Sequence, residues 1–174
     1  SWLDYRFFGE EKRNPAVRRG ISEAEAIMSA SIYEITKRSI INLWINKMHY
    51  LIVGLGNPGE EYEMTRHNAG RIIVEVIRKH FGFSNWLPDK KTFALKSEGK
   101  YEGKTVTLLL PETMMNWSGK SLAALVSNAR SAERLLIVHD DIDLPLGRFK
   151  LSFDRGSGGH HGLESIIKTI KTTA

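Results

Sequence analysis

Cysteine is absent from the 174 residues, which removes a thiol nucleophile, a thiolate metal site and a disulfide framework together. That suits the cytoplasm, the location expected for this chain. Long apolar runs are missing too: none approaches the roughly 20 residues that a helix needs to cross a bilayer, and the longest, such as Leu108 to Leu110, read as strands. A soluble chain with no membrane contact is the expectation. An export signal is not expected either, because Asp4, Glu10 and Glu11 interrupt what would have to be an apolar stretch. There is no G-x-S-x-G elbow, no Walker loop and no H-E-x-x-H zinc helix. Among hydrolytic designs, a base that activates water is the economical one left.

Charge of either sign is modest. Lys and Arg number 25 against 20 Asp and Glu, giving +5 and a pI near 9.5, a mildly basic balance suited to an anionic partner. With 41% apolar residues the chain can bury one ordinary α/β core with some excess. The excess lies at the front. Residues 1–47 read as an N-terminal extension of unknown role, in which Ser22 and Glu25 have capping-box spacing and Ile27, Met28, Ile32 and Ile35 continue as a helix.

Residues 48–174 read as one α/β domain, alternating apolar strands with helical stretches, a pattern that implies a mostly parallel sheet. Tyr50 to Leu55 opens it. Ala69, Ile72, Ile73, Val76 and Ile77 then recur at helical spacing, placing a helix from near Thr65 to about His80. Phe93 to Ser97 and Thr105 to Leu110 straddle Glu102-Gly103 as a hairpin. A second helix is expected through Leu122, Ala123, Leu125 and Val126 behind a Ser118 cap, followed by a buried strand from Leu135 to Val138. Arg148 to Phe153 reads as a strand, and a helix starts near Gly162 after the glycine-rich loop 156–159. The last helix stops soon after Ile170, so its apolar face and the sheet edge are expected to lack cover and the domain to be truncated at its C-terminus.

Several loops carry polar groups that could do chemistry. Gly54-Leu55-Gly56-Asn57-Pro58-Gly59 matches G-x-G-x-x-G after a strand, which makes a dinucleotide enzyme a rival reading. That reading also wants an acid at the end of the next strand, where this chain has Arg78-Lys79-His80. Asn57 supplies an amide where backbone can approach a ligand closely. His67 falls at the start of the first helix, whose dipole favours a neutral imidazole able to accept a proton. A surface or capping role is the plainer alternative. Its partner could come from His139-Asp140-Asp141-Ile142-Asp143, since loops at the carboxyl ends of strands face one another in open α/β sheets. An Asp there would steer the imidazole; a hard-cation site and turn duty compete for the same acids. Pro111 to Asn116 adds Met114, Met115 and the Asn116 amide to this edge, although the methionines also suit a core. Gly158-Gly159-His160-His161-Gly162 presents backbone N–H groups at a helix start, a usual place for phosphate or carboxylate. Arg148 and Lys150 share a face of the expected strand and could meet a nucleic-acid backbone, or be a solvated basic face.

Together Gly54 to Gly59, Tyr62, Thr65-Arg66-His67-Asn68-Ala69-Gly70, Met115-Asn116-Trp117-Ser118-Gly119, His139 to Pro145 and Gly158-Gly159-His160 closely resemble bacterial-type peptidyl-tRNA hydrolase. The resemblance runs from about Met48 to the end. It implies a three-layer sandwich around a mixed sheet, a monomer without metal or cofactor, and hydrolysis of the ester joining peptide to tRNA. Carried onto this chain, it implies His67 as general base, Asp140 as its stabilising acid and Asn57 as the residue that recognises the peptide. Tyr62, Met114 and Asn116 would contact tRNA, with Asn68 and Met115 near them in the cleft and Lys150, His160 and His161 also on the substrate side. A catalytically weakened tRNA-binding domain of the same fold is the alternative. Two departures bear on this: His161 stands where the family usually has Asn, and Ser152 where it often has Lys or Arg. The family also continues past this C-terminus with further strands and a covering helix.

Overall fold

In the computed structural model of the chain, residues 49–127, 129–145 and 147–171 are described. The extension 1–47, with the helix expected through Ile27 to Ile35, lies outside them. Five strands form one sheet in the order β2-β3-β4-β1-β5: β1 is His49–Gly54, β2 Leu87–Asp89, β3 Ala94–Tyr101, β4 Lys104–Pro111 and β5 Leu135–Val138. β1 pairs in parallel with β4 on one side and β5 on the other, while β2, β3 and β4 run antiparallel. The sheet is therefore mixed, and its parallel part carries the polar loops.

Strand alternation sorts the apolar side chains onto two faces. Val106, Leu108 and Leu110 of β4 meet Val74 and Ile77 of helix α1, Ala69–His80, together with Phe83. On the other face Val53, Leu55, Leu109 and Leu135 meet Leu122 of α2, Gly119–Leu122, then Val126, Ala132 of α3, Ala129–Ala132, and Ile166 of α4, His161–Ile170. Helices cover both faces, so the architecture is the expected three-layer α/β sandwich. Burying a side chain such as Ile166 completely contributes roughly 1.5–3 kcal/mol, and that burial gives the last helix cover along one line of its apolar face. Leu163, Ile167 and Ile170 of the same helix are only half-buried, with Leu163 and Ile170 packed against the cluster that holds Ile166.

The hairpin forms with longer arms than the periodicity predicts, because the ladder runs on to Tyr101 and Lys104. Glu102 and Gly103 both take positive φ, 48° and 77°, the turn that matches strand twist. The first helix begins later than Thr65: Arg66–Asn68 forms a 3₁₀ turn and α1 starts at Ala69. Ser118 stands at the N-cap position of α2 as expected but its side chain does not cap: the residue is helical itself and its hydroxyl donates to the Met115 carbonyl. The strand expected at Arg148 to Phe153 is absent. That segment is irregular, with Phe149, Leu151 and Phe153 exposed, because strand propensity is realised only against a paired neighbour and a packed face. Arg148 and Lys150 accordingly share no strand face. Two short elements, β2 and α3, had no signal in the sequence reading.

Candidate active site

The carboxyl ends of β1, β4 and β5 lead into three loops that converge. What brings them together is the closeness of α1 to the sheet. Gly70, in its first turn, lies so near β1 and β5 that an added Cβ would sit 2.2 Å from the Val138 carbonyl oxygen and 2.5 Å from that of Leu55. The Arg71 amide donates to the Leu55 carbonyl at 3.2 Å and the Leu55 amide to Val138 at 2.8 Å. Helix, first loop and last strand are thus tied at one point.

His67, in the 3₁₀ turn just ahead of α1, meets Asp140, which follows β5. The two are separated by 73 residues in sequence, and His67 Nδ1 stands 2.9 Å from Asp140 Oδ2. A carboxylate can only accept, so Nδ1 carries the proton and Nε2 is left with a free lone pair. The imidazole is 68% exposed and the carboxylate 10% exposed: the ring faces solvent on a sheltered anchor. His160, the residue before α4, places Nε2 3.2 Å from Asp140 Oδ1. Asp140 therefore holds two histidines, one on each oxygen. Burial first, then the neighbouring His139, push the His160 imidazole below the usual histidine range, against the opposing pull of Asp140. The His139 and His160 rings meet edge to face at 4.7 Å, and His139 Nδ1 lies 2.6 Å from the Asp140 carbonyl oxygen.

Asn57, in the loop after β1, is held by Asn68. The Asn57 amide donates to Asn68 Oδ1 at 2.8 Å, and Asn68 Nδ2 donates back to the Asn57 carbonyl at 3.0 Å. Asn68 is 2% exposed with both ends of its amide used in this clasp, so it lies beneath the loop and holds the Asn57 backbone in place. Asn57 Oδ1 accepts the Met115 N–H at 2.8 Å. That fixes the orientation of the Asn57 amide and leaves its nitrogen as the end available to a ligand.

Arg71 braces the same corner. Its stem lies over Gly56, and its guanidinium donates to the Pro111 carbonyl and to Glu112 Oε1, each at 2.6 Å. The loops after β1 and β4 are joined by that clamp. Beyond it Met115 is half-buried, Met114, Asn116 and Trp117 are exposed, and Tyr62 is half-buried in its own 3₁₀ turn. His161, the first residue of α4, is exposed, with Nδ1 3.7 Å from a Glu164 carboxylate oxygen. Lys150 is exposed in the irregular segment. The turn acids behave as turn acids: Asp141 accepts the Asp143 amide at 2.9 Å. The sequence reading missed Gly70 as the point of contact, the Arg71–Glu112 pair and the attachment of His160 to Asp140. The His-His-Gly run before a helix was the available signal for the last.

The fold and site define an α/β sandwich that presents an imidazole–carboxylate pair and a braced asparagine at the carboxyl edge of its parallel strands. The family profile for peptidyl-tRNA hydrolase matches residues 51–174, and the chain belongs to that family. A peptidyl-tRNA hydrolase of Pseudomonas fluorescens strain SBW25 is 50% identical over 121 residues, covering 69% of this chain and 62% of the relative. One from Haemophilus influenzae strain 86-028NP is 48% identical over the same shares. The chain thus spans about three fifths of the length of these relatives. The crystal structure of peptidyl-tRNA hydrolase from Acinetobacter baumannii superposes with a TM-score of 0.66 at 41% identity, covering 72% of this chain and 65% of that one.

Proposed function

We propose that this chain hydrolyses the ester between peptide and tRNA in peptidyl-tRNA, with His67 activating the attacking water and Asp140 steering His67. The observation that carries the reading is the His67–Asp140 contact at 2.9 Å, joining residues 73 apart in sequence. Asp140 fixes the tautomer in which Nε2 can take a proton from water, and it stabilises the imidazolium that results. As hydroxide attacks the ester carbonyl, charge grows on the carbonyl oxygen. The Asn57 amide nitrogen, oriented by Met115, and the exposed Asn116 amide are the donors suited to receive it; losing one such donor typically costs about 10²-fold or more in rate. Collapse of the tetrahedral centre expels the tRNA ribose oxygen, and the proton held on His67 is delivered to it.

In this reading the exposed Met114 and Asn116 and the half-buried Tyr62 receive the tRNA end, and the exposed Lys150 and His161 meet its phosphates. The chain's +5 charge favours that polyanion. The reading includes action as a monomer in the cytoplasm, without metal or cofactor. Release of an N-blocked amino acid from tRNA tests it: the parent protein releases it, chelator makes no difference, and His67→Ala abolishes release while retaining tRNA affinity. Binding without release at any protein concentration would leave a tRNA-binding module instead.

A further inference from the structure

We propose that His160 is a positioning residue that locks Asp140, its own tautomer being set by the start of helix α4; this deepens, and rests on, the hydrolytic reading above. A helix leaves its first N–H groups without intrahelical acceptors. In α4, ten residues long, the Gly162 and Leu163 amides both donate to His160 Nδ1, at 3.1 and 3.2 Å. A nitrogen that accepts two N–H groups cannot itself hold a proton, so the proton of neutral His160 sits on Nε2. That nitrogen points at Asp140 Oδ1, 3.2 Å away, and donates to it. One carboxylate oxygen is thereby occupied, and the other, Oδ2, is turned to His67 Nδ1.

The order of events along this chain of contacts follows. Helix amides define the His160 tautomer, His160 defines the rotation of the Asp140 carboxylate, and Asp140 defines which nitrogen of His67 is bare. The side chain is only 15% exposed, which suits a support better than a substrate contact. Burial and the facing His139 ring keep the imidazole in the neutral form this role needs. The titratable groups around it are His139 and Asp140 from the loop after β5, His67 from the turn before α1, and His161 with Glu164 from α4, the last two being exposed. Removing the Nε2 donor leaves Asp140 free to swivel and with less of its charge balanced. His67 then holds its proton more tightly and is less well aimed.

Two substitutions separate the cap from the donor. In His160→Asn the side-chain oxygen occupies the place of Nδ1 and caps α4, but nothing reaches Asp140. In His160→Gln the amide nitrogen occupies the place of Nε2 and donates to Asp140, but the cap is lost. Release of N-blocked amino acid from tRNA is followed against pH for both, beside thermal melting. For the Asn variant the expected result is kcat lowered about tenfold, the scale of one lost hydrogen bond to a charged group, an acid limb moved to higher pH, unchanged KM and parental melting. For the Gln variant it is a lower melting temperature with the parental acid limb. An Asn variant with parental kcat and acid limb overturns the proposal, as does a Gln variant whose kcat and limb change like those of Asn. A readout free of activity separates this from failure of the hydrolytic reading. Long-range ¹H–¹⁵N correlation on the labelled parent protein reports the His160 tautomer: a proton on Nε2 supports the proposal and one on Nδ1 overturns it, whether or not the protein releases peptide.

Discussion

Gly70→Ala should cripple the site without touching any residue that meets substrate. The new methyl would stand 2.2 Å from the Val138 carbonyl oxygen, 2.5 Å from the Leu55 oxygen and 2.6 Å from the Leu55 nitrogen. All three are main-chain atoms, of the last residue of β5 and of the residue just after β1, which are hydrogen-bonded to each other, so none can swing away. To restore van der Waals separation α1 has to retreat by roughly 1 Å. The retreat stretches the 2.9 Å His67–Asp140 contact and the 3.2 Å bond from the Arg71 amide to Leu55, both toward the limit of hydrogen bonding. Overpacking of this kind costs about 1–3 kcal/mol, a fall in melting temperature of about 4–12 °C for a domain of this size. A displacement of about 1 Å between reacting groups is worth about 10²-fold in rate. Initial rates of release of N-acetyl-aminoacyl groups from tRNA, with melting curves on the same samples, measure both. Gly156→Ala is the control, since no atom lies within 4 Å of its added Cβ, and it should match the parent. A Gly70→Ala protein that melts with the parent and works within about twofold of its rate would refute the reasoning that α1 is placed by that contact.

Arg71→Ala removes the clamp on the Pro111 carbonyl and takes the partner cation from Glu112, beside the loop that carries Met114 and Asn116. We expect KM for tRNA substrates to rise about threefold to tenfold at low salt, less at high salt, with kcat near parental. Glu112→Gln in the same chain should recover part of that loss, and no recovery would contradict the electrostatic part of the account. Glu75 gives a pH prediction. Burial works against its charge, but hydrogen bonds from Arg78 and Trp86 and the charges of Arg78 and Lys79 outweigh burial and hold its carboxyl below the usual range. A folded-state value below the unfolded one adds stability that is present at neutral pH and lost as pH falls through the folded value. Glu75→Gln should therefore destabilise the protein to urea at about pH 7 and progressively less toward about pH 3; a difference independent of pH would count against it.

The parallel part of the sheet was legible because Tyr50 to Leu55 and Leu135 to Val138 are apolar runs bounded by turn residues, and α1 because its apolar residues recur at 3.6. The hairpin declared itself through Glu102-Gly103. What failed depended on tertiary partners. Phe149, Leu151 and Phe153 alternate like a strand, yet pairing needs a neighbour that local sequence does not name. Ser118 carries a capping side chain but sits inside a helical turn. At the site, the loops bearing Asn57, His67 and Asp140 could be placed at one sheet edge by topology. The two-sided attachment of Asp140 could not, since it depends on a His160 tautomer decided by amides two and three residues further on. Gly70 was visible as part of a motif, but its closeness to Val138 emerges only when the helix docks.

The central claim is that His67 and Asp140 act on water as one unit, and a kinetic double-mutant cycle tests it most directly. Single-turnover release of N-acetyl-aminoacyl groups from tRNA is measured for His67→Ala, Asp140→Ala and the protein carrying both. We predict that each single substitution lowers the rate by about 10²–10⁴-fold and that the double variant is no slower than the slower single one. Losses that multiply, or either single variant releasing at the parental rate, would contradict it.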